Sequence, residues 1–201
     1  MAQSEEGSLT NVASPLKVLL LVEPTPFNYI SGYANRFKEM LQFMKTNGDE
    51  VRVVTTDADH AAPKSFLGFP ITTLHGFSFP WYKHVRLSFD VTGRMRSILK
   101  VFKPDVVHCS APSIILFPAI LWSRLFNVPL VVSYHTNLPG YTKLYVPHMP
   151  FLERLAYFLL KYCLKHADLI LCTSPQLKFE LEKLGLRRVS VWSKGINIEV
   201  S

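Results

Sequence analysis

The sequence lacks three motifs that mark common classes of phosphate-binding and hydrolytic enzymes. It contains no G-x-G-x-x-G dinucleotide fingerprint, no G-x-x-x-x-G-K-[ST] phosphate loop and no G-x-S-x-G nucleophile elbow. Simple dehydrogenases, P-loop nucleotide hydrolases and α/β-hydrolases are therefore disfavoured.

Cysteine is also scarce. The chain has Cys109, Cys163 and Cys172, each inside an apolar segment, and no C-x-x-C pair. This pattern predicts buried reduced thiols in a reducing compartment, and neither a disulfide nor a metal site. A zinc site built from His108, Cys109 and His135 is disfavoured because neighbouring residues of a strand point to opposite faces.

Long apolar runs and a leader sequence are absent. The longest apolar run, residues 114–122, is interrupted by Pro118 and falls short of the roughly 20 residues that cross a bilayer. Residues 1–14 are small and polar with two glutamates, which predicts a disordered tail and no secretory or organelle-targeting signal. We expect no transmembrane span.

The net charge of +7, from 22 basic and 15 acidic residues, is spread along the chain. It favours anionic partners, which include nucleotides, phospholipid surfaces and nucleic acid, without selecting among them. A length of 201 residues with 48% hydrophobic content predicts one substantial core.

Apolar runs alternate with helical segments along most of the chain. Strand-like runs occupy residues 17–22, 51–55, 71–74, 105–108, 130–134, 168–173 and 189–192. Helical periodicity covers residues 33–47, 92–102, 112–126, 150–166 and 175–184. This alternation predicts an α/β fold with a Rossmann-like, doubly wound parallel sheet.

Residues 56–90 depart from this rhythm. They are rich in proline, glycine and aromatics and contain one weak strand. We expect an excursion from the sheet with an exposed aromatic loop at residues 77–82. This loop either grips an acyl chain or a sugar, or packs onto the sheet.

Polar residues stand where the predicted parallel strands end. They are Glu23, His108, Ser110, His135, Thr136 and Ser174. Because such ends meet at one edge of a sheet, we expect these residues to converge on a single cleft. Glu23 is either an acceptor for sugar or glycerol hydroxyls or a solvated loop carboxylate. His135 ends an apolar strand, which favours contact with a ligand, whereas His108 suits a hydrogen-bonded place in the core or behind the ligand.

The loop before the first helix, residues 26–36, combines a glycine with a cation. Gly32 lets the backbone approach an anion closely at a helix start. Arg36 either reaches that anion or lies on the solvated face of the helix.

Several segments resemble one known family. They are VEPTPFNYISGYANRF at 22–37, GDEV at 48–51, FPWY at 79–82, KPDVVH at 103–108, VPLVVSYHT at 128–136 and ADL at 167–169. In this order, over residues 16–197, they closely resemble the sulfolipid sulfoquinovosyltransferases of glycosyltransferase family 4.

The resemblance implies the amino-terminal half of a retaining glycosyltransferase with the GT-B fold, without a metal or cofactor. It implies that Ser31 and Gly32 lie near the donor diphosphate and that His135 is catalytic beside the reacting sugar. The residues that match the acceptor-side stretch are Glu23, Tyr33, Asn35 and Arg36.

On this resemblance, residues 15–201 are the acceptor-side domain, and the carboxy-terminal domain that holds the nucleotide sugar is expected to be absent. Residues 194–197 match the family's last segment before the interdomain linker, with Asn197 where an aspartate is usual.

The implied reaction transfers sulfoquinovose from a UDP-sugar donor to diacylglycerol. A mannosyl- or glucosyltransferase acting on lipids is the near alternative, and a catalytically silent fragment that binds an acceptor or a membrane is another. The helix at residues 150–166 either lies at a membrane interface or packs on the sheet. We expect no nucleic acid partner, and a place in the cytoplasm or peripherally on a plastid membrane.

Overall fold

The computed structural model of this chain describes residues 14–28, 30–56, 63–79, 82–90, 92–136 and 150–192. The strands in these ranges are β1 Lys17–Val22, β2 Glu50–Thr56, β3 Ser65–Phe66, β4 Phe69–Leu74, β5 Phe77–Phe79, β6 Tyr82–Leu87, β7 Val106–Ala111, β8 Leu130–Tyr134, β9 Leu169–Cys172 and β10 Val189–Val191. The helices there are α1 Gly32–Asn47, α2 Arg94–Phe102, α3 Leu116–Leu125, α4 Pro150–Leu164 and α5 Pro175–Lys183. Residues 1–13 of the predicted tail at residues 1–14, and the linker-like residues 194–197, lie outside the described residues.

Eight strands form one sheet in the order β10-β9-β8-β7-β1-β2-β4-β3. Every neighbouring pair is parallel except β3 with β4. β1 is central, with Leu20 opposite Val53 on one side and His108 on the other. Residues 18–22 are all buried, which explains why β1 reads as a continuous apolar run. The predicted parallel α/β sheet is confirmed.

The two faces of the sheet have separate cores. Leu19 packs with residues of α2, α3, α4 and α5 on one face, whereas Leu20 packs with Phe37 and Leu41 of α1 on the other. This alternation follows from the period of two along a strand. Helices on both faces make the sheet doubly wound, as the sequence predicts.

Serine side chains cap the two helices α1 and α5. Ser31 Oγ accepts a hydrogen bond from Ala34 N at 3.0 Å, and Ser174 Oγ accepts one from Leu177 N at 3.2 Å. Gly48 ends α1 with φ of 81°, a left-handed conformation that glycine adopts without strain. The Ser31 cap fixes the start of α1, which lies at the carboxyl edge of β1.

Residues 56–90 hold more strand than we expect from their sequence. β3 pairs with β4 at the end of the main sheet, and β5 pairs with β6 as a separate antiparallel hairpin. The prediction of one weak strand followed by a loop at residues 77–82 is therefore wrong, although residues 80–81 lie outside the described residues. Pro70 and Gly76 interrupt the local pattern, and pairing with a neighbouring strand outweighs these weak local preferences.

All three cysteines are buried and none forms a disulfide. Burial raises the pKa of Cys163 to about 11, so this thiol stays protonated near neutrality. Within the described ranges, no helix combines the length and the apolar composition needed to cross a membrane.

Candidate active site

The carboxyl edge of the sheet brings together polar residues from distant parts of the chain. Glu23 directly follows β1, Ser110 lies near the end of β7, and His135 directly follows β8. β1, β7 and β8 are adjacent parallel strands, so their carboxyl ends share one edge. The predicted placement of Glu23 and His135 at one edge of the sheet is confirmed.

The chain winds away from the boundary between β1 and β7 in two directions. β1 leads through α1 to β2 on one side, and β7 leads through α3 to β8 on the other. In open α/β sheets, such a switch in strand order opens a crevice at the carboxyl edge, where ligands bind.

The Glu23 side chain is buried at this edge of the sheet, where backbone N–H groups bind its carboxylate. Its Oε1 accepts a hydrogen bond from Ser88 N at 2.7 Å, and its Oε2 accepts from Ile114 N at 2.6 Å and Ile115 N at 3.0 Å. Ser110 Oγ accepts a further bond from the Glu23 backbone N at 3.0 Å. Since Glu23 is only 1% exposed, the solvated-carboxylate alternative is wrong.

The Glu23 carboxylate binds backbone N–H groups at the start of α3. Ile114 and Ile115 lie immediately before α3, and backbone N–H groups at a helix start attract anions. Burial raises the pKa of Glu23 to about 7, against the opposing effect of the hydrogen bonds from Ile115, Ser88 and Ile114.

His135 lies in an aromatic cluster beside this crevice. Its ring centroid is 5.1 Å from those of Tyr33 and Phe37 and 5.7 Å from that of Trp192. Tyr33 and Phe37 belong to α1, and Trp192 directly follows β10. The first helix and the far end of the described chain thus meet at this imidazole.

A hydrogen bond between Ser133 and His135 indicates which ring nitrogen carries the proton. His135 Nε2 lies 3.0 Å from Ser133 Oγ, and Ser133 is fully buried. Within the part of the chain that the structure describes, Ser133 Oγ has no other partner. We therefore assign the hydroxyl as the donor to Nε2, since a buried donor without an acceptor is costly, and this assignment places the ring proton on Nδ1.

The His135 ring is also neutral. Burial, together with the charges of Arg36 and His108, lowers the pKa of His135 to about 3. At physiological pH the ring therefore presents a neutral N–H donor and not an imidazolium.

His108 lies within β7 and not at its end. β7 continues to Ala111, so the predicted end at residue 108 is wrong, because pairing with β8 extends further. His108 is 5% exposed, and among the described residues its Nε2 has no hydrogen-bond partner. Its ring packs 5.9 Å from Trp192 and 6.2 Å from Phe37, and burial lowers its pKa to about 4. It is a core residue whose Nε2 lacks, among the described residues, the hydrogen bond expected for a buried imidazole.

Arg36 joins α1 to Trp192. Its Nη1 donates to Trp192 O at 2.8 Å, and its guanidinium carbon lies 5.1 Å from the centre of the Trp192 ring. Since Arg36 is only 8% exposed, the solvated-face alternative is wrong. Burial lowers its pKa, with Glu39 opposing, yet an arginine remains charged in proteins. A cation close to a neutral N–H donor suits a ligand with negative charge.

The start of α1 places the other predicted residues at this edge. Ser31 is the N-cap of α1, and Gly32 is its exposed first residue. Tyr33 Oη donates to Glu23 O at 3.0 Å, which ties α1 to the loop after β1. Asn35 is exposed on the same helix.

Two residues of this site, Ser133 and Trp192, were missed by sequence reasoning. Ser133 stands two residues before His135, and the period of two along a strand puts both on one face, so this spacing was a usable signal. Trp192 reaches the cluster only because β10 folds onto β9, and its local sequence carries no sign of that contact.

The chain is similar in sequence to proteins of one enzyme family. A family model for Glycosyltransferase Family 4 matches residues 30–200. The chain is 34% identical over 194 residues to sulfoquinovosyl transferase SQD2 of Arabidopsis thaliana, covering 94% of the chain and 37% of that protein. It is 26% identical over 173 residues to a GDP-mannose-dependent alpha-mannosyltransferase of Mycobacterium tuberculosis, covering 85% of the chain and 45% of that protein. The chain thus spans less than half the length of these curated relatives.

Two solved structures share the fold. Sucrose-phosphate synthase from Thermosynechococcus elongatus aligns with a TM-score of 0.59 at 13% identity, covering 90% of each chain. A glycosyltransferase from Rickettsia africae aligns with a TM-score of 0.59 at 16% identity, covering 92% of this chain and 44% of that one. At these identities the likeness establishes the fold alone.

Proposed function

The chain belongs to glycosyltransferase family 4, and we propose that it is the acceptor-side part of a retaining enzyme that transfers sulfoquinovose from UDP-sulfoquinovose to diacylglycerol. The observation that carries this proposal is the cluster of His135, Arg36 and Trp192 at the carboxyl edge of the sheet. The 34% identity to the Arabidopsis sulfoquinovosyl transferase supports the choice of sugar.

His135 has the catalytic role in this proposal. A retaining transfer develops negative charge on the leaving diphosphate and positive charge on the reacting sugar, and preorganised groups that match these charges lower the barrier. His135 offers an N–H donor held by Ser133. Because its pKa is about 3, the ring adds no positive charge beside the oxocarbenium-like sugar.

The start of α1 receives the donor diphosphate in this proposal. A helix amino terminus carries partial positive charge and N–H groups that suit phosphate. Ser31 Oγ already accepts from Ala34 N, so we assign the contact with the diphosphate to the backbone at Gly32. We place the nucleotide in the part of the relatives' length that this chain does not cover. The 201-residue chain alone should therefore show no sugar transfer and only weak UDP-sugar binding.

The acceptor side is assigned to Glu23, Tyr33, Asn35 and Arg36. Both oxygens of the Glu23 carboxylate are bound by backbone N–H groups, so Glu23 shapes this side by holding two loops in place. Tyr33 supports the same loop, whereas Asn35 is exposed and open to an acceptor hydroxyl.

Mannosyl transfer from GDP-mannose is the second candidate function. The similarity to the Mycobacterium tuberculosis alpha-mannosyltransferase favours it, although at the lower identity of 26%. Both candidates use the same edge of the sheet, so only the donor and the acceptor distinguish them.

Assays with matched donors test the proposal. The chain is assayed alone and together with the portion of the Arabidopsis enzyme that it does not cover, with UDP-sulfoquinovose, UDP-glucose or GDP-mannose and diacylglycerol vesicles. We expect the complemented pair to make sulfoquinovosyl diacylglycerol and the chain alone to make none. Mannolipid as the main product would favour the second candidate. Absence of any transfer, despite a stable complex of the two parts, would indicate a catalytically silent fragment.

A further inference from the structure

α4 is apolar on two opposite sides. Leu160 and Leu164 are buried against the sheet. The large apolar side chains that α4 exposes include Phe151, Leu155, Phe158 and Tyr162, with exposed fractions of 62%, 44%, 64% and 44%. Their spacing places them on one stripe, roughly opposite the buried residues. A surface helix that only packs on a sheet has a polar outer side, so this stripe calls for another explanation.

α3 extends this exposed apolar surface. Phe117, Leu121 and Leu125 are spaced four residues apart and are all exposed, Leu125 by 66%. α3 and α4 are in contact and cover the same face of the sheet. We name these seven side chains on α3 and α4 the α3–α4 patch. A contiguous apolar surface of this kind on one side of a protein marks an interaction site.

Cations border the α3–α4 patch. Arg154 and Lys161 of α4, Lys165 just after it and Arg124 of α3 are exposed. In the sequence, α3 contains no acidic residue and α4 contains only Glu153. An apolar stripe flanked by basic side chains is the pattern of a helix that lies in the interface of an anionic bilayer.

A groove beside the α3–α4 patch reaches the loop after β7, whose backbone binds Glu23. It has a volume of about 330 Å³ and lies between α3 and α4, with Phe117, Leu159 and Cys163 in its walls. Its lining also includes Ile114, whose backbone N donates to Glu23 Oε2. An acyl chain held in this groove would bring a lipid headgroup to the carboxyl edge of the sheet.

We propose that the α3–α4 patch seats the protein on an anionic lipid bilayer, from which the acceptor reaches the active site along this groove. The inference deepens the proposed function and rests on it for the lipid nature of the acceptor. A second copy of the chain is a poorer occupant, because a two-fold contact through this patch would bring like cations together.

Vesicle binding by the 201-residue chain tests this inference without any need for turnover. Cosedimentation is measured with vesicles of phosphatidylcholine alone and with equal parts of phosphatidylcholine and phosphatidylglycerol, at about 0.1 M and about 0.5 M salt. We expect binding to the anionic vesicles to be at least about tenfold tighter, and to weaken at high salt. The double variant Phe151→Ser/Phe158→Ser should lose at least about tenfold.

Phe43→Ser is the matched control. Phe43 is 73% exposed on α1, on the other face of the sheet, so this variant should bind vesicles like the unaltered chain. Circular dichroism checks that all variants are folded. Wild-type binding by the folded double variant would overturn the inference.

Fluorescence then locates the contact. The tryptophan of a Phe158→Trp variant should be quenched by vesicles with brominated acyl chains, whereas that of a Phe43→Trp variant should not. Sedimentation velocity without vesicles tests whether a second copy of the chain binds the α3–α4 patch. A wild-type dimer that the double variant abolishes, together with unchanged vesicle binding, would show that a second copy covers the patch and that the inference is wrong. Vesicle binding with an inactive complemented pair would leave the patch standing and count only against the proposed function.

Discussion

Removing the Glu23 carboxylate should destabilise the fold by an amount that depends on pH. Glu23→Ala leaves the N–H groups of Ser88, Ile114 and Ile115 without their acceptor, and the bonds from Ser88 and Ile115 are buried. A buried donor without a partner costs about 1–3 kcal/mol. We therefore expect the free energy of unfolding to fall by about 2–6 kcal/mol at pH 5.

The same substitution should cost less at pH 8. Burial raises the pKa of Glu23 from 4.5 to about 7, so between these values the folded chain holds a proton that the unfolded chain has released. The stability that this proton binding provides is complete below pH 4.5 and is lost as the pH rises to 7. At about 1.4 kcal/mol per pH unit, the loss amounts to about 3 kcal/mol in the unaltered chain. Glu23→Ala has no such dependence, so its destabilising effect should shrink by about this amount.

Urea unfolding of both chains at pH 5 and pH 8 measures the effect. Taking the difference between the two chains at each pH cancels the contributions of groups they share. Glu182→Ala is the control, because Glu182 is exposed and pairs with Lys178 at 3.7 Å, and loss of such a pair costs about 0–1 kcal/mol. If Glu23→Ala destabilises the chain equally at both pH values, the carboxylate is ionised throughout and the argument from burial is wrong.

Four further predictions concern the aromatic cluster and the start of α1. In the complemented enzyme, His135→Ala should lower kcat about 100-fold, as for loss of one preorganised donor; near-normal turnover by a variant with wild-type circular dichroism would make the histidine structural. Ser133→Ala should shift the His135 proton from Nδ1 toward Nε2, which two-bond ¹H–¹⁵N spectra report, and an unchanged tautomer would refute the assignment. Gly32→Val should weaken UDP-sugar binding in calorimetric titrations of the complemented enzyme while the fold stays intact, and unaltered affinity would count against the diphosphate site. His108 has a pKa lowered to about 4 by burial, so the unaltered chain should lose stability as the pH falls from 6.5 to 4. His108→Phe should lose less, and an equal loss in urea unfolding at these two pH values would contradict the burial of a neutral ring.

The sheet could be predicted because its strands are buried on both faces. β1 and β8 have the predicted bounds, since both are predominantly apolar runs that end where a polar residue, Glu23 or His135, follows. β3, β5 and β6 escaped prediction because they depend on pairing with their neighbours.

The candidate site was predictable only in part. The edge that carries Glu23 and His135 follows from strand order, which alternation of strands and helices implies. The contacts of Glu23 and Arg36 do not follow, because a charged residue in a loop or on a helix is ordinarily solvated. Their burial depends on partners 65 and 156 residues away in the chain, Ser88 and Trp192.

The bond between Arg36 and Trp192 also has a consequence for biosynthesis. Its two ends are separated by 156 residues, which a ribosome adds in about 8–30 s at 5–20 residues per second. Before Trp192 is added, β1 and α1 have already left the ribosome, but the imidazole of His135 has no indole ring beside it. Contacts this distant in sequence also slow folding, because a long loop must close before they form. The aromatic cluster around His135 is therefore among the last parts of the domain to assemble, and a nascent chain that stalls before residue 192 would have an incomplete cluster.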